Sequence, residues 1–157
     1  MPNRDFSPRA EETGDDGAFE SMWTSIRFPD FDGSSLVAFG PGDVLTIVAF
    51  VAIGEVSHGV LPWTVPLRVA STAGTFLLGW ILLAPVLGAY RSKTMQSHRW
   101  AVGTAVLTWV GADVIAQGIR STSFVHGNAS SSFFLVAAIS GGAMLAVWRY
   151  LRASIGD

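Results

Sequence analysis

Apolar positions along this chain gather into four long blocks separated by short polar stretches, behind an N-terminal segment with little apolar pattern. The blocks lie at about 43–61 (DVLTIVAFVAIGEVSHGVL), 67–90 (LRVASTAGTFLLGWILLAPVLGAY), 100–119 (WAVGTAVLTWVGADVIAQGI) and 131–151 (SSFFLVAAISGGAMLAVWRYL). Each holds about 20 residues, which at a helical rise of about 1.5 Å crosses a hydrocarbon core about 30 Å thick. None carries the polar stripe of a soluble amphipathic helix. The pattern predicts an all-α integral membrane protein, with four transmembrane helices in an up-down bundle over 43–151.

Upstream, 1–42 reads as a cytoplasmic tail. Its first 17 residues, MPNRDFSPRAEETGDDG, have too little apolar surface to offset ordering entropy and are expected to be disordered. Phe19, Met22, Trp23 and Ile26 then follow i, i+3, i+4, i+7 spacing, as in a short interfacial helix over 18–28. FPDFDGSS (28–35) reads as a turn-rich linker. Pro85 is expected to kink the second helix, and Pro66 suits the start of that same helix.

Composition sharpens this division. Eight of the 12 acidic residues precede residue 33, and beyond it the acids are Asp43, Glu55, Asp113 and Asp157. With no basic arm, nucleic acid is not an expected partner. There is no cysteine, which excludes disulfides and thiolate chemistry. Nine of ten basic residues are arginine, a bias that with the acidic tail suits a salt-adapted, GC-rich prokaryote. The first 25 residues lack an apolar leader, so the first span is expected to direct insertion.

Basic residues near the span ends set the expected orientation. Arg27, Arg91, Lys93, Arg99, Arg149 and Arg152 fall on one side, against Arg68 and Arg120 on the other, placing both termini in the cytoplasm of a multi-pass cell-membrane protein. Arg91, Lys93, Arg99, Arg149 and Arg152 thus read as topology or lipid-headgroup residues. Trp63, Tyr90, Trp100, Trp148 and Tyr150 sit near span ends as interfacial aromatics do, whereas Trp80 and Trp109 are mid-span and expected to pack. Ala70 with Gly74, Ala101 with Ala105, Ala112 with Ala116, and Ala138 with Gly142 have the spacing that lets helices approach closely.

Asp43 followed by VLTIVAFVAIGEVSHG, FLLGW at 76–80, IR at 119–120 and FFLVAAISGGAMLAVWRY at 133–150 carry a resemblance to a prokaryotic family known as domain of unknown function 3054. The resemblance covers about 43–151. It implies a small four-helix membrane protein of the kind common in halophilic archaea and actinobacteria, and it implies no activity. The family's Gly-Trp-Arg ending is shortened here to Trp148-Arg149, and Glu55 replaces a position that is often basic.

Ionisable groups within spans are costly and mark candidate sites. Glu55 and His58 share a face of the first helix, and Asp113, Gln117 and Arg120 share a face of the third. Glu55 and Asp113 are expected at similar depth, with Arg68 and Arg120 further out. Convergence of the two faces would assemble a polar cluster of Glu55, His58, Arg68, Asp113, Gln117 and Arg120. Such a cluster suits proton or ion handling, or a pocket for a small charged solute. It equally suits interhelical salt bridges, for instance Asp113 with Arg68 or Arg120.

A metal is not expected, because Glu55-x-x-His58 lacks the repeated motif and extra glutamates of di-iron bundles. No cofactor is expected, and no hydrolase, metalloprotease or phosphate-loop motif is present. Asp43 reads as a cap or dipole partner of the first helix. Two functions lead: a transporter-like or channel-like protein, which with so few helices implies a homo-oligomer, or a non-catalytic scaffold whose acidic tail binds a cytoplasmic partner; a membrane enzyme comes third. The lipid bilayer is a partner in each.

Overall fold

A start signal at Asp32 sets the register of the first helix. Its side-chain Oδ1 accepts from the Ser34 amide at 3.0 Å, satisfying one of the free N–H groups of a helix start. Hydrogen bonds from Ser34, then Ser35, hold the Asp32 carboxyl below its usual range. The computed structural model describes residues 31–122 and 131–155. From this cap, α1 runs Gly33–Ser57, ten residues earlier than the apolar block predicts. Pro41 lies inside α1 without ending it. The interfacial helix expected at 18–28, together with His126 and Asn128, lies outside the described residues.

After a single 3₁₀ turn over Pro62–Thr64, α2 spans Pro66–Leu83 with Pro66 at its first turn. Pro85 does not kink this helix, because α2 ends before it, and turns lead to Tyr90. A short α3, Ser92–Gln96, was not legible as an apolar block. It precedes α4 (His98–Arg120) and α5 (Ser131–Ile155). Among the described residues there is no strand, only an isolated bridge between Phe31 and Arg91.

α1, α2, α4 and α5 are each long and apolar enough to cross a membrane. They pack in sequence order around a ring that closes between α5 and α1. The outside of the ring is apolar: Leu45, Ile53, Ile81, Leu107, Ile139 and Leu151 are all exposed. Such a continuous apolar exterior would be an aggregation surface in water and is the natural exterior in lipid. The interior instead uses small residues, among them Ala73, Ala101, Ala105, Ala112, Ala116 and Ala137. Ala70 and Gly74 correct the small-residue expectation, because both face outward. Gly79 on α2 packs directly on α4, where a Cβ would lie 2.8 Å from the Ala112 Cα.

Mid-bundle, Phe76 stacks on Trp109 with centroids 5.0 Å apart, and Phe50 meets both edge-on. Trp109 Nε1 donates to the Ala137 carbonyl at 2.9 Å, tying α4 to α5. This aromatic layer divides the two ends of the bundle.

Candidate functional site

The two ends differ in how their charges are used. At the end that gathers the start of α1, the 84–97 connection and the close of α5, Asp43 and Arg149 are both 0% exposed. Arg149 Nε donates to Asp43 Oδ1 at 2.8 Å, Nη2 donates to Oδ2 at 2.6 Å, and Nη1 donates to the Ala89 carbonyl at 2.8 Å. Tyr90 donates to Asp43 Oδ2 at 2.8 Å, Trp148 Nε1 donates to Oδ1 at 3.1 Å, and Trp80 Nε1 donates to the Tyr90 hydroxyl at 2.9 Å. Burial, and the Asp43 carboxylate it donates to, hold the Tyr90 hydroxyl above its usual range, so it remains a donor. The guanidinium also lies over the Phe39 ring, 4.6 Å from its centroid.

This lock overturns several sequence expectations. Asp43 is no cap, since it sits well inside α1, where it accepts from Tyr90 of the 84–97 connection and from Trp148 and Arg149 of α5. Arg149 cannot meet headgroups, and Arg152 is half-buried with Nε on the Ala38 carbonyl at 3.1 Å. Tyr90 is buried and Trp148 partly so, rather than interfacial. Lys93 and Arg99 are exposed and Arg91 is half-buried. The signal that could have found the lock is depth: an acid opening one apolar block and an arginine inside another, at the same end of the bundle.

At the opposite end the four long helices part around a half-open cavity of about 740 Å³. α1 contributes Phe50, Val51, Gly54 and Glu55, with His58 just beyond it. Leu67, Arg68, Ser71, Thr72 and Phe76 come from α2, Arg120 from the end of α4 and Phe133 from α5. Glu55 is buried and Arg68 largely exposed. Arg68 Nε donates to Glu55 Oε1 at 3.0 Å, and Nη2 makes a charge contact with Oε2 at 2.8 Å that lacks hydrogen-bond alignment. Arg120 lies over the Phe133 ring at 5.0 Å, and its Nε is buried with no hydrogen-bond partner.

The six-residue cluster therefore divides. Glu55, His58, Arg68 and Arg120 line one cavity, whereas Asp113 and Gln117 do not. Asp113 is fully buried one helical turn deeper than Gln117, whose Nε2 donates to its Oδ1 at 3.2 Å. Asp113 Oδ2 and Gln117 Oε1 have no hydrogen-bond partner, and among the described residues Asp113 has no ion pair. The pairing of Asp113 with Arg68 or Arg120 is thus absent. A carboxyl with no cation to serve should be replaceable by an amide at little cost. Asp113→Asn is expected to leave thermal unfolding in detergent unchanged or to raise its midpoint, and a loss of several kcal/mol would reveal a charge partner. No group of three or more metal-ligating side chains occurs among the described residues.

The family model described as "Protein of unknown function (DUF3054)" matches residues 41–152. The chain belongs to the DUF3054 family. No curated protein and no solved structure matches it. The DUF3054 match opens two residues before Asp43 and closes three after Arg149, so it contains both the buried lock and the whole cavity.

Proposed function

We propose that this DUF3054 protein is a non-enzymatic, transporter-like membrane protein that takes a small charged solute into the cavity at the Glu55–Arg120 end. One observation carries the reading: four helices converge on a drug-sized hollow with charged groups at its mouth and aromatic rings at its floor. The Asp43–Arg149 lock closes the other end, so passage requires that end to open or several copies to assemble around a path. In this reading the lock faces the cytoplasm, following the arginine bias, and the cavity faces outward.

Gly54 offers a clean test, because it lines the cavity and a Cβ there meets nothing within 4 Å. Gly54→Leu should narrow the hollow beside Glu55 while improving helix propensity by up to about 1 kcal/mol. In proteoliposomes given a panel of labelled small anions, zwitterions and cations, the wild type should accumulate at least one class and Gly54→Leu markedly less of it. Equal uptake by both proteins would sink the proposal. The buried lock favours a second reading, a scaffold in which charge serves packing alone and the acidic tail recruits a cytoplasmic partner. On that reading Gly54→Leu is silent.

A further inference from the structure

We infer that the solute taken by this cavity is an organic anion with an apolar body, its carboxylate or phosphate held by Arg120 and its apolar part lying against Phe50 and Leu67. The inference rests on the solute-binding reading above and adds the chemical class.

The argument begins with a charge inventory. Within 33–155 the chain has three acids, Asp43, Glu55 and Asp113. Asp43 is held by Arg149 and Glu55 by Arg68, while Asp113 lies outside the cavity. The 123–130 connection, SFVHGNAS, has no acid to offer. Among the described residues Arg120 is therefore left without a hydrogen-bonded carboxylate, although it lies within electrostatic range of Glu55 and Arg68. Glu55 and Arg68 cancel, so Arg120 is the one fixed charge on the described wall that is not offset, and His58, the other ionisable group there, can add only positive charge. A guanidinium cannot shed its proton in a protein, so an anion is the group that would compensate it. Its buried, unpartnered Nε is a donor already turned away from water.

The walls decide the rest of the ligand. Phe50 lies five residues below Glu55 on α1, about 7.5 Å at helical rise, and is partly exposed, while Phe76 beneath it is already covered by Trp109 and Phe50. Val51, Leu67 and Phe133 complete an apolar lining. A small hydrophilic anion would satisfy Arg120 but leave those walls uncovered. An amphiphile covers both, with the Ser71 and Thr72 side chains between head and floor. The same chemistry describes an aqueous aryl or alkyl carboxylate and an anionic lipid or fatty acid from the bilayer.

Calorimetric titration of the full chain in nanodiscs of neutral lipid separates these possibilities. The probes are 3-phenylpropanoate, its neutral amide, 3-phenylpropylamine and acetate, with palmitate as the bilayer-derived arm. Binding by 3-phenylpropanoate or palmitate, with the amide and amine at least tenfold weaker, is the expected result. Arg120→Gln should weaken the anion by about ten- to a hundredfold, the value of a charge-assisted contact. That variant removes no protein–protein ion pair, and Gly54→Leu gives a folded control that should weaken binding with Arg120 intact. Preference for palmitate assigns the ligand to the bilayer, and preference for 3-phenylpropanoate assigns it to water. Equal binding of the amide or amine overturns the anion assignment while leaving a solute cavity in place. Absence of binding by every probe overturns it too, with the Gly54→Leu uptake comparison then judging the cavity on its own.

Discussion

Replacing Asp43 with alanine should cost this bundle about 3–5 kcal/mol, read as a lowered midpoint in thermal or denaturant unfolding of detergent-solubilised protein. The substitution leaves the Arg149 guanidinium fully buried with the Ala89 carbonyl as its remaining acceptor, and it strips Tyr90 and Trp148 of theirs. Most of that cost is the desolvation of an unpaired charge rather than the strength of the pair. The pair itself is worth less than its geometry suggests. Asp43→Leu combined with Arg149→Met should therefore recover much of the loss, since it removes both charges and keeps the volume filled. A single-variant loss below about 1 kcal/mol would mean that water reaches this end of the bundle.

The second large effect belongs to a glycine. At Gly79 a Cβ would sit 2.8 Å from the Ala112 Cα and the Ala112 carbonyl oxygen, so backbone rather than a mobile side chain must yield. Gly79→Leu should force α2 from α4 and cost roughly 3 kcal/mol, the upper end of core overpacking. Gly74→Leu makes the matched comparison. Gly74 faces outward with nothing within 4 Å, and its substitution should be neutral or stabilising by up to about 1 kcal/mol. Equal effects in the two variants, measured by the same unfolding assay, would contradict the α2–α4 contact.

Gly74 and Gly79 also show where the sequence was legible. Apolar block length identified four spans, because burial in lipid needs about 20 apolar residues whatever the neighbours are. Which glycine meets a partner helix depends on how each helix is rotated, and uniformly apolar helices carry no stripe to reveal it. Asp43 was read as a cap because the apolar block begins there. The actual start signal, Asp32-Gly-Ser-Ser, lies in a segment whose turn-rich composition resembles a linker.

The candidate site was half legible for the same reason. Glu55, His58, Arg68 and Arg120 stood out as ionisable groups near span ends, and they do line one cavity. Depth arithmetic brought Asp113 to their level but could not say which way it faced. The apolar half of the cavity (Phe50, Phe76 and Phe133) was invisible, since aromatic residues in an apolar span look alike whether they pack or line a hollow.

If the cavity admits water while the Asp43–Arg149 end stays locked dry, thiols at the two kinds of position will react at different rates. The cysteine-free chain lets a single introduced thiol report on it. Thr72→Cys places the thiol on the cavity wall, and Thr108→Cys places it at a fully buried position as the reference. With protein in proteoliposomes and a small charged methanethiosulfonate as reagent, Thr72→Cys should be labelled much faster. An anionic reagent should outpace a cationic one, and adding Gly54→Leu should suppress the reaction. Labelling of Thr72→Cys no faster than Thr108→Cys would contradict the account.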